Sequence, residues 1–280
     1  MASFVIHHIS GEVFLNELEN KGVMLSDTEK KQFLLGNLIV DSSRIEKQIP
    51  ENLSFEEQKK FKKKLRKEVQ EEKRSTHFRD EDDYKLCIQA PNINTFIEKY
   101  KELITKDYTV LGYLYHLYVD KMFFKDLFND TFVCLDKDEK KTKYIANLVS
   151  MQVKKSGEVY PLEDFWSHDS SISVYHDYTV MNKLLLEKYG TCFEKEKLLE
   201  NYDTFFINPG IEEVDYQNIT NVVAKTEAFI RESYQVEDSS LNVFDKSMVE
   251  NFIEQVAKGF ISSYQEVIPT KMNVKVNKKC

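Results

Sequence analysis

The chain has 280 residues and carries 39 Lys or Arg against 47 Asp or Glu, for a formal net charge of -8. That surplus of negative charge excludes a general nucleic-acid binder, whose affinity rests on neutralising phosphates, but not a small phosphorylated substrate met by a local positive site. With 41% hydrophobic and 31% charged residues and only 8 Gly and 5 Pro, the composition is that of a globular, mainly helical protein rather than a disordered one.

In chain order, the stretch from Met1 to His8 has neither a basic n-region nor a long apolar core, so no signal peptide is expected. Gly11 to Asn20 places Val13, Phe14, Leu15 and Leu18 among acidic residues, a first helix ending near Gly22. Ser26-Asp27-Thr28-Glu29 is a capping box: the hydroxyl can accept one free backbone N–H while Glu29 accepts another. The helix it opens runs through Phe33, Leu34, Leu35, Leu38 and Ile39 and delivers Asp41 at its end.

Ser54-Phe55-Glu56-Glu57 is a second capping box. Residues 56–74 then hold nine Lys or Arg against five Glu, the pattern of a solvated helix laced with salt bridges or of a mobile basic flap over an anionic site. Ser75 to Asp80 is a polar turn carrying His77 and Arg79, and Phe96, Ile97, Tyr100, Leu103 and Ile104 form a helical stripe. A helix from about Thr109 to Asn129 follows, then a short helix around Tyr144 to Leu148 and a small hairpin from Met151 to Pro161. Phe165 to Tyr178, with the single Trp and with His168 and His176, reads as an ordered loop feeding a helix from Thr179 to Tyr189. Amphipathic helices near Thr220 to Tyr234 and Asp245 to Tyr264 and a basic tail from Lys271 to Cys280 complete the chain. No repeat or linker interrupts it, so a single all-α domain over residues 1–280 is expected, with a charged helical insertion at about 52–74.

Cys87, Cys134, Cys192 and Cys280 show no C-x-x-C spacing, so neither a zinc knuckle nor a disulfide framework is indicated. No run approaches the roughly 18 apolar residues of a membrane span. The expectation is a soluble, cytoplasmic protein.

The helix Gly112-Tyr113-Leu114-Tyr115-His116-Leu117-Tyr118-Val119-Asp120 is apolar nearly all round, as a buried central helix should be. His116 and Asp120 stand four residues apart, stacked about 6 Å apart on one face. A buried carboxylate needs a cation or a hydrogen-bonding network, and an imidazole beside it at this spacing can close on one divalent ion. Mixed imidazole and carboxylate donors suit zinc, iron or manganese rather than calcium. His7, Asp41 and His77 each sit at the end of an apolar segment or in a polar turn, where they can join such a site. His7 and His8 need not both be ligands, and either can instead bond a neighbouring loop.

The succession of His7-x-x-x-Gly11-Glu12, Gly36-Asn37-Leu38-Ile39-Val40-Asp41, Thr76-His77-Phe78-Arg79 and the helix from Gly112 to Asp120 resembles the zinc-dependent phospholipase C family, in particular its cytosolic bacterial members. The similarity covers about the first half of the chain. It implies an all-helical bundle of phospholipase C/P1 nuclease type, a metal cluster between helices and hydrolysis of a phosphate ester by metal-activated water. Carried over by position, it implies His7, Asp41, His77, His116 and Asp120 as metal ligands, Asp120 as a bridging carboxylate, and Asp41 as the residue that also orients or deprotonates the attacking water. The later His-x-x-x-Glu pair of the secreted enzymes has no counterpart after Asp120, so one or two ions, zinc foremost, are expected rather than three.

Arg79 is a candidate phosphate contact through its guanidinium fork, or else pairs with nearby carboxylates. Tyr113, Tyr115 and Tyr178 line a pocket or pack in the core. Two other functional readings remain open at this stage. In one, the protein is a non-catalytic helical interaction module with a structural or degenerate metal site; in the other, His176-Asp177 serves as the doublet of an HD-type nucleotide phosphohydrolase.

Overall fold

The computed structural model describes residues 2–42, 54–167, 173–190, 198–237 and 240–269. Its centre is helix α5, Tyr108–Met122, in which every residue from Tyr108 to Asp120 is buried. Asp107 caps it by accepting the N–H groups of Thr109 at 2.7 Å and Val110 at 3.3 Å. Beyond Met122 the chain does not leave the helix but passes through a π-helical turn, Phe123–Phe128, and a last short segment, Asn129–Thr131. The expected helix to about Asn129 is thus present with one wide turn, a feature often found beside functional residues.

Helix α1, Phe4–Asn20, starts well before the expected Gly11, because Ser3 accepts the N–H of Ile6 and so supplies an N-cap upstream. His7 and His8 therefore sit inside a helix, with Val5, Ile6 and Ile9 buried around them. Helix α2, Asp27–Ile39, opens on the expected capping box, with Ser26 N donating to Glu29 Oε2 at 2.7 Å and Glu29 N to Ser26 Oγ at 3.3 Å. Helix α3, Phe55–Thr76, opens on the second, with Ser54 N donating to Glu57 at 2.9 Å. Helix α4, Ile93–Ile104, buries Ile93, Phe96, Tyr100 and Ile104.

The most extensive packing between elements is that of α2 on α5. Two glycines set the closeness of the crossing: a Cβ on Gly36 would lie 1.9 Å from Thr109 O, and one on Gly112 2.0 Å from Phe33 O. Any side chain at either position would push the helices apart, and His116 and Asp120 on α5 would shift relative to α2.

After α5 the chain forms a three-stranded antiparallel sheet in the order β1 (Phe132–Leu135), β2 (Ser150–Val153) and β3 (Val159–Pro161), with Cys134 opposite Met151 and Met151 opposite Tyr160. The expected hairpin is the β2–β3 half. Strand β1 is a departure from the all-α expectation; at four residues it is too short to show a period, and its partner lies beyond a long connection. The protein is accordingly mostly helical with a small sheet.

Helix α6, Val174–Tyr189, begins at Ser173, whose hydroxyl accepts the N–H of His176 at 3.1 Å. His176 and Asp177 thus lie in its first turn rather than in the expected loop. Helices α7, Ile219–Tyr234, and α8, Lys246–Tyr264, match their expected spans, and α8 buries Val249, Phe252, Ile253, Val256, Phe260 and Ile261 against the body. His168 and the tail from Lys271 lie outside the described residues. No helix among the described residues is long and apolar enough to cross a membrane.

Candidate metal centre

Four separate stretches of chain bring His7, Asp41, His77, His116 and Asp120 together. His7 comes from the start of α1, Asp41 from just past the end of α2, His77 from the C-cap of α3, and His116 with Asp120 from the middle of α5. His7, His77, His116 and Asp120 are buried, and Asp41 keeps 7% of its side chain exposed.

The crossing of α2 and α5 orients His116. Near the end of α2 the N–H of Asp41 turns to Leu38 O, so Asn37 O is left without the usual intrahelical donor. His116 Nδ1 lies 2.8 Å from that oxygen. Only a protonated Nδ1 can bond a carbonyl, which leaves the lone pair on Nε2, the arrangement a metal-binding histidine requires. The Asn37 side chain turns the other way and donates to His7 O at 2.5 Å.

His77 is held by a sharp turn. Phe78 adopts a left-handed conformation, φ 51°, uncommon for a residue with a bulky side chain. Its ring is clamped between those of Phe96, 5.1 Å away, and Tyr113, 6.2 Å away, and the Tyr113 hydroxyl donates to Thr76 O. Thr76 Oγ1 in turn lies 2.9 Å from His77 Nδ1, so Nε2 is again the nitrogen turned inwards. Tyr113 is therefore a buried support of the turn, and Tyr115, whose hydroxyl donates to Ser10 O at 2.8 Å, is likewise core, whereas Tyr178 lines a cavity.

The inward atoms are close. His7 Nε2 lies 3.3 Å from Asp120 Oδ1, and His77 Nε2 lies 3.5 Å from Asp120 Oδ2 and 3.6 Å from Asp41 Oδ1. The His7 and His116 rings stack at 3.7 Å, 5° from parallel. His7, Asp41 and His116 form one group whose donor atoms all lie within 4.8 Å of one another, and His77, His116 and Asp120 form a second. For metal–donor bonds of about 2.1 Å, tetrahedral ligands stand about 3.4 Å apart, so these separations are those of atoms arranged around an ion.

Hydrogen bonding points the same way. His77 Nε2, His116 Nε2, Asp41 Oδ1, Asp120 Oδ2 and both His7 ring nitrogens are buried without a hydrogen-bond partner. Leaving that many polar atoms orphaned together costs too much unless something occupies the space between them. Burial drives the pKa of His77 down to about 3 and that of His116 to about 4, against the pull of Asp41 and Asp120. Burial would raise Asp120, but the close approach of His7 Nε2 outweighs that and holds it well below the usual carboxylate range. Asp41 is lowered too, with Lys73 the chief opponent of burial. Neutral imidazoles beside ionised carboxylates are the protonation states that a cation needs. The residues present thus fit a divalent metal ion.

A cavity of about 400 Å³ opens over Asp41, walled by Phe124, Trp166, Tyr178 and Phe229 and bordered by Lys73. Lys73 Nζ stands 3.9 Å from Asp41 Oδ1. Neither Lys73 nor Asn37 was among the expected site residues, although Asn37 stands within the quoted Gly36–Asp41 motif. Arg79 is close enough to interact electrostatically with Asp120 and Asp41, and its Nε is buried without a hydrogen-bond partner.

Two candidates fall elsewhere. His8 Nε2 faces Glu12 at 3.3 Å, one turn along α1. The Asp177 carboxylate accepts the backbone N–H groups of Asn242, Val243 and Phe244 at 3.0, 2.6 and 2.8 Å, so it fastens α6 to the segment before α8.

Fold and site together define a mostly helical protein with buried His and Asp groups able to hold a metal ion. No protein-family model, curated protein or solved structure matches the chain.

Proposed function

We propose that this protein is a metal-dependent hydrolase of phosphate esters. The observation that carries the reading is the convergence of five residues from four stretches of chain with their donor atoms unpaired and turned towards a common space. Structural metal sites are closed on all sides, whereas catalytic ones keep a position for water and substrate. The partial exposure of Asp41 beneath an open cavity favours the catalytic kind.

His7, His77, His116, Asp41 and Asp120 would hold one or two ions, zinc first among the candidates for this donor set. When bound, the cation supplies Lewis acidity towards a phosphoryl oxygen and lowers the pKa of water from 15.7 towards about 7. Asp41, ionised and facing the cavity, orients the attacking water and accepts its proton. Asp120, whose two carboxylate oxygens face His7 and His77, would be a further ligand beside them. Lys73 places positive charge at the edge of that cavity and Arg79 places it in the adjoining cleft, where each draws in a phosphate. The aromatic wall excludes water and suits an ester whose alcohol has an apolar portion. An HD-type arrangement finds less support, since its doublet would need Asp177, whose oxygens are already engaged by main-chain donors.

The test is metal analysis of protein purified without chelator or histidine tag, followed by a metal-supplemented screen of phosphomonoesters, phosphodiesters and phospholipids. Bound metal together with hydrolysis of one ester class that is lost in Asp41→Asn is the expected result. Metal-free protein, or metal-loaded protein inert on all three classes, would overturn the reading and leave a non-catalytic module.

A further inference from the structure

A second cleft, of about 570 Å³, lies between the C-terminal half of α3 and the segment that follows His77. Lys67, Lys73, Arg74 and Arg79 line it, against two carboxylates, Glu71 and Glu81. In a chain of net charge -8, a surplus of cations confined to one concave surface concentrates anions there.

Both carboxylates are turned on a single cation. Glu71 pairs with Arg74 Nη2, and Glu81 approaches Arg74 Nη1 at 3.3 Å. Lys67, Lys73 and Arg79 are left with no carboxylate of the cleft within ion-pair distance among the described residues. Arg79 is the most telling of the three, because its Nε is buried and has no hydrogen-bond acceptor. A buried guanidinium N–H without an acceptor is destabilising, and Arg79 lines the cleft, where an anion oxygen can supply one. Lys73 lines both this cleft and the aromatic cavity over Asp41, so the two spaces adjoin at that side chain.

We infer that the cleft is a second anion subsite, which takes a phosphate group carried by the same ligand whose reacting phosphoryl group faces Asp41. The substrate class is then a phosphate ester bearing a further phosphoryl group, rather than a monoester of a neutral alcohol. The inference rests on the phosphoesterase reading for what occupies the metal centre, while the subsite itself can be measured without metal.

Calorimetric titration of the metal-free full chain with inorganic pyrophosphate tests the subsite alone. Pyrophosphate binds, and Lys67→Glu, an exposed change that leaves the core untouched, weakens binding at least about tenfold, as expected when one charge-assisted contact is replaced by repulsion. Undetectable binding to the folded chain, or binding unaltered in Lys67→Glu, overturns the inference. On the zinc-loaded chain, alkane-α,ω-diyl bisphosphates of three to eight carbons are compared with alkyl monophosphates of the same length. The best bisphosphate binds at least about tenfold tighter, and Lys67→Glu erases that ratio; a wild-type ratio near one at every length overturns the inference. Failure of the phosphoesterase reading has another signature, in which zinc adds nothing to monophosphate binding while pyrophosphate still binds the metal-free chain.

Discussion

His116 Nδ1 lies 2.8 Å from the main-chain oxygen of Asn37, a carbonyl left without its intrahelical donor where α2 runs out. One contact thus satisfies an orphan acceptor of one helix and selects the tautomer of a candidate ligand on another, turning Nε2 towards the other donors.

Metal binding should depend on that imidazole. Zinc present at 100 times its dissociation constant adds about 2.7 kcal/mol to the stability of the wild type. In His116→Ala the increment disappears, which urea titrations with and without zinc would register. An undiminished increment in the variant would remove His116 from the site.

The crossing of α2 and α5 should be intolerant of the smallest side chain. In Gly112→Ala the new Cβ would start 2.0 Å from Phe33 O, so the helices must separate. The expected loss is on the order of 3 kcal/mol, at the upper end of overpacking effects, and the remaining folded protein binds metal more weakly because His116 retreats from Asn37. Urea unfolding combined with zinc titration measures both. A stability within about 0.5 kcal/mol of wild type would contradict the close approach.

Acid should unfold the metal-free protein early. Below the ordinary imidazole value of 6.5 the unfolded chain takes up protons that folded His77 and His116 refuse until about 3 and about 4. The unfolded state binds more protons, so stability falls with falling pH from about 6.5 towards 4, by on the order of 2 kcal/mol per imidazole at pH 5. Asp41 and Asp120, both lowered, extend the loss below the usual carboxylate range. Unfolding midpoints between pH 7 and 5 would follow this slope, and a His77→Gln, His116→Gln double variant should flatten it. A level profile in the wild type would mean that these imidazoles are not held neutral.

Asp177 should prove structural. Its three main-chain donors go unsatisfied in Asp177→Ala, at about 2–4 kcal/mol, while metal content stays as in the wild type. Loss of metal from a variant shown to be folded would restore the HD-type reading.

Much of the secondary structure was legible because its causes are local. The capping boxes at Ser26 and Ser54, the apolar stripe of α8 and the i,i+4 pair of His116 and Asp120 are written within one or two helical turns. The errors also have identifiable causes. The N-caps Ser3 and Ser173 start α1 and α6 upstream of their expected first residues, and β1 is specified by a partner strand across a long connection. Tyr113 and Tyr115, for which pocket and core were both open, are core, and their hydroxyls find buried carbonyls on other segments.

By itself the amino-acid sequence determined that this protein is mainly helical, that α5 is its buried axis and that a histidine and a carboxylate share one face of it. Helical period and burial of apolar residues settle those matters over distances of a few residues. That His7, Asp41 and His77 reach the same space as His116 and Asp120, and that Asp177 does not, was decided only by the tertiary structure. Their meeting depends on two helix backbones touching at Gly36 and Gly112 and on a left-handed turn at Phe78. No local pattern specifies how closely two distant segments approach; the packing of the whole core does.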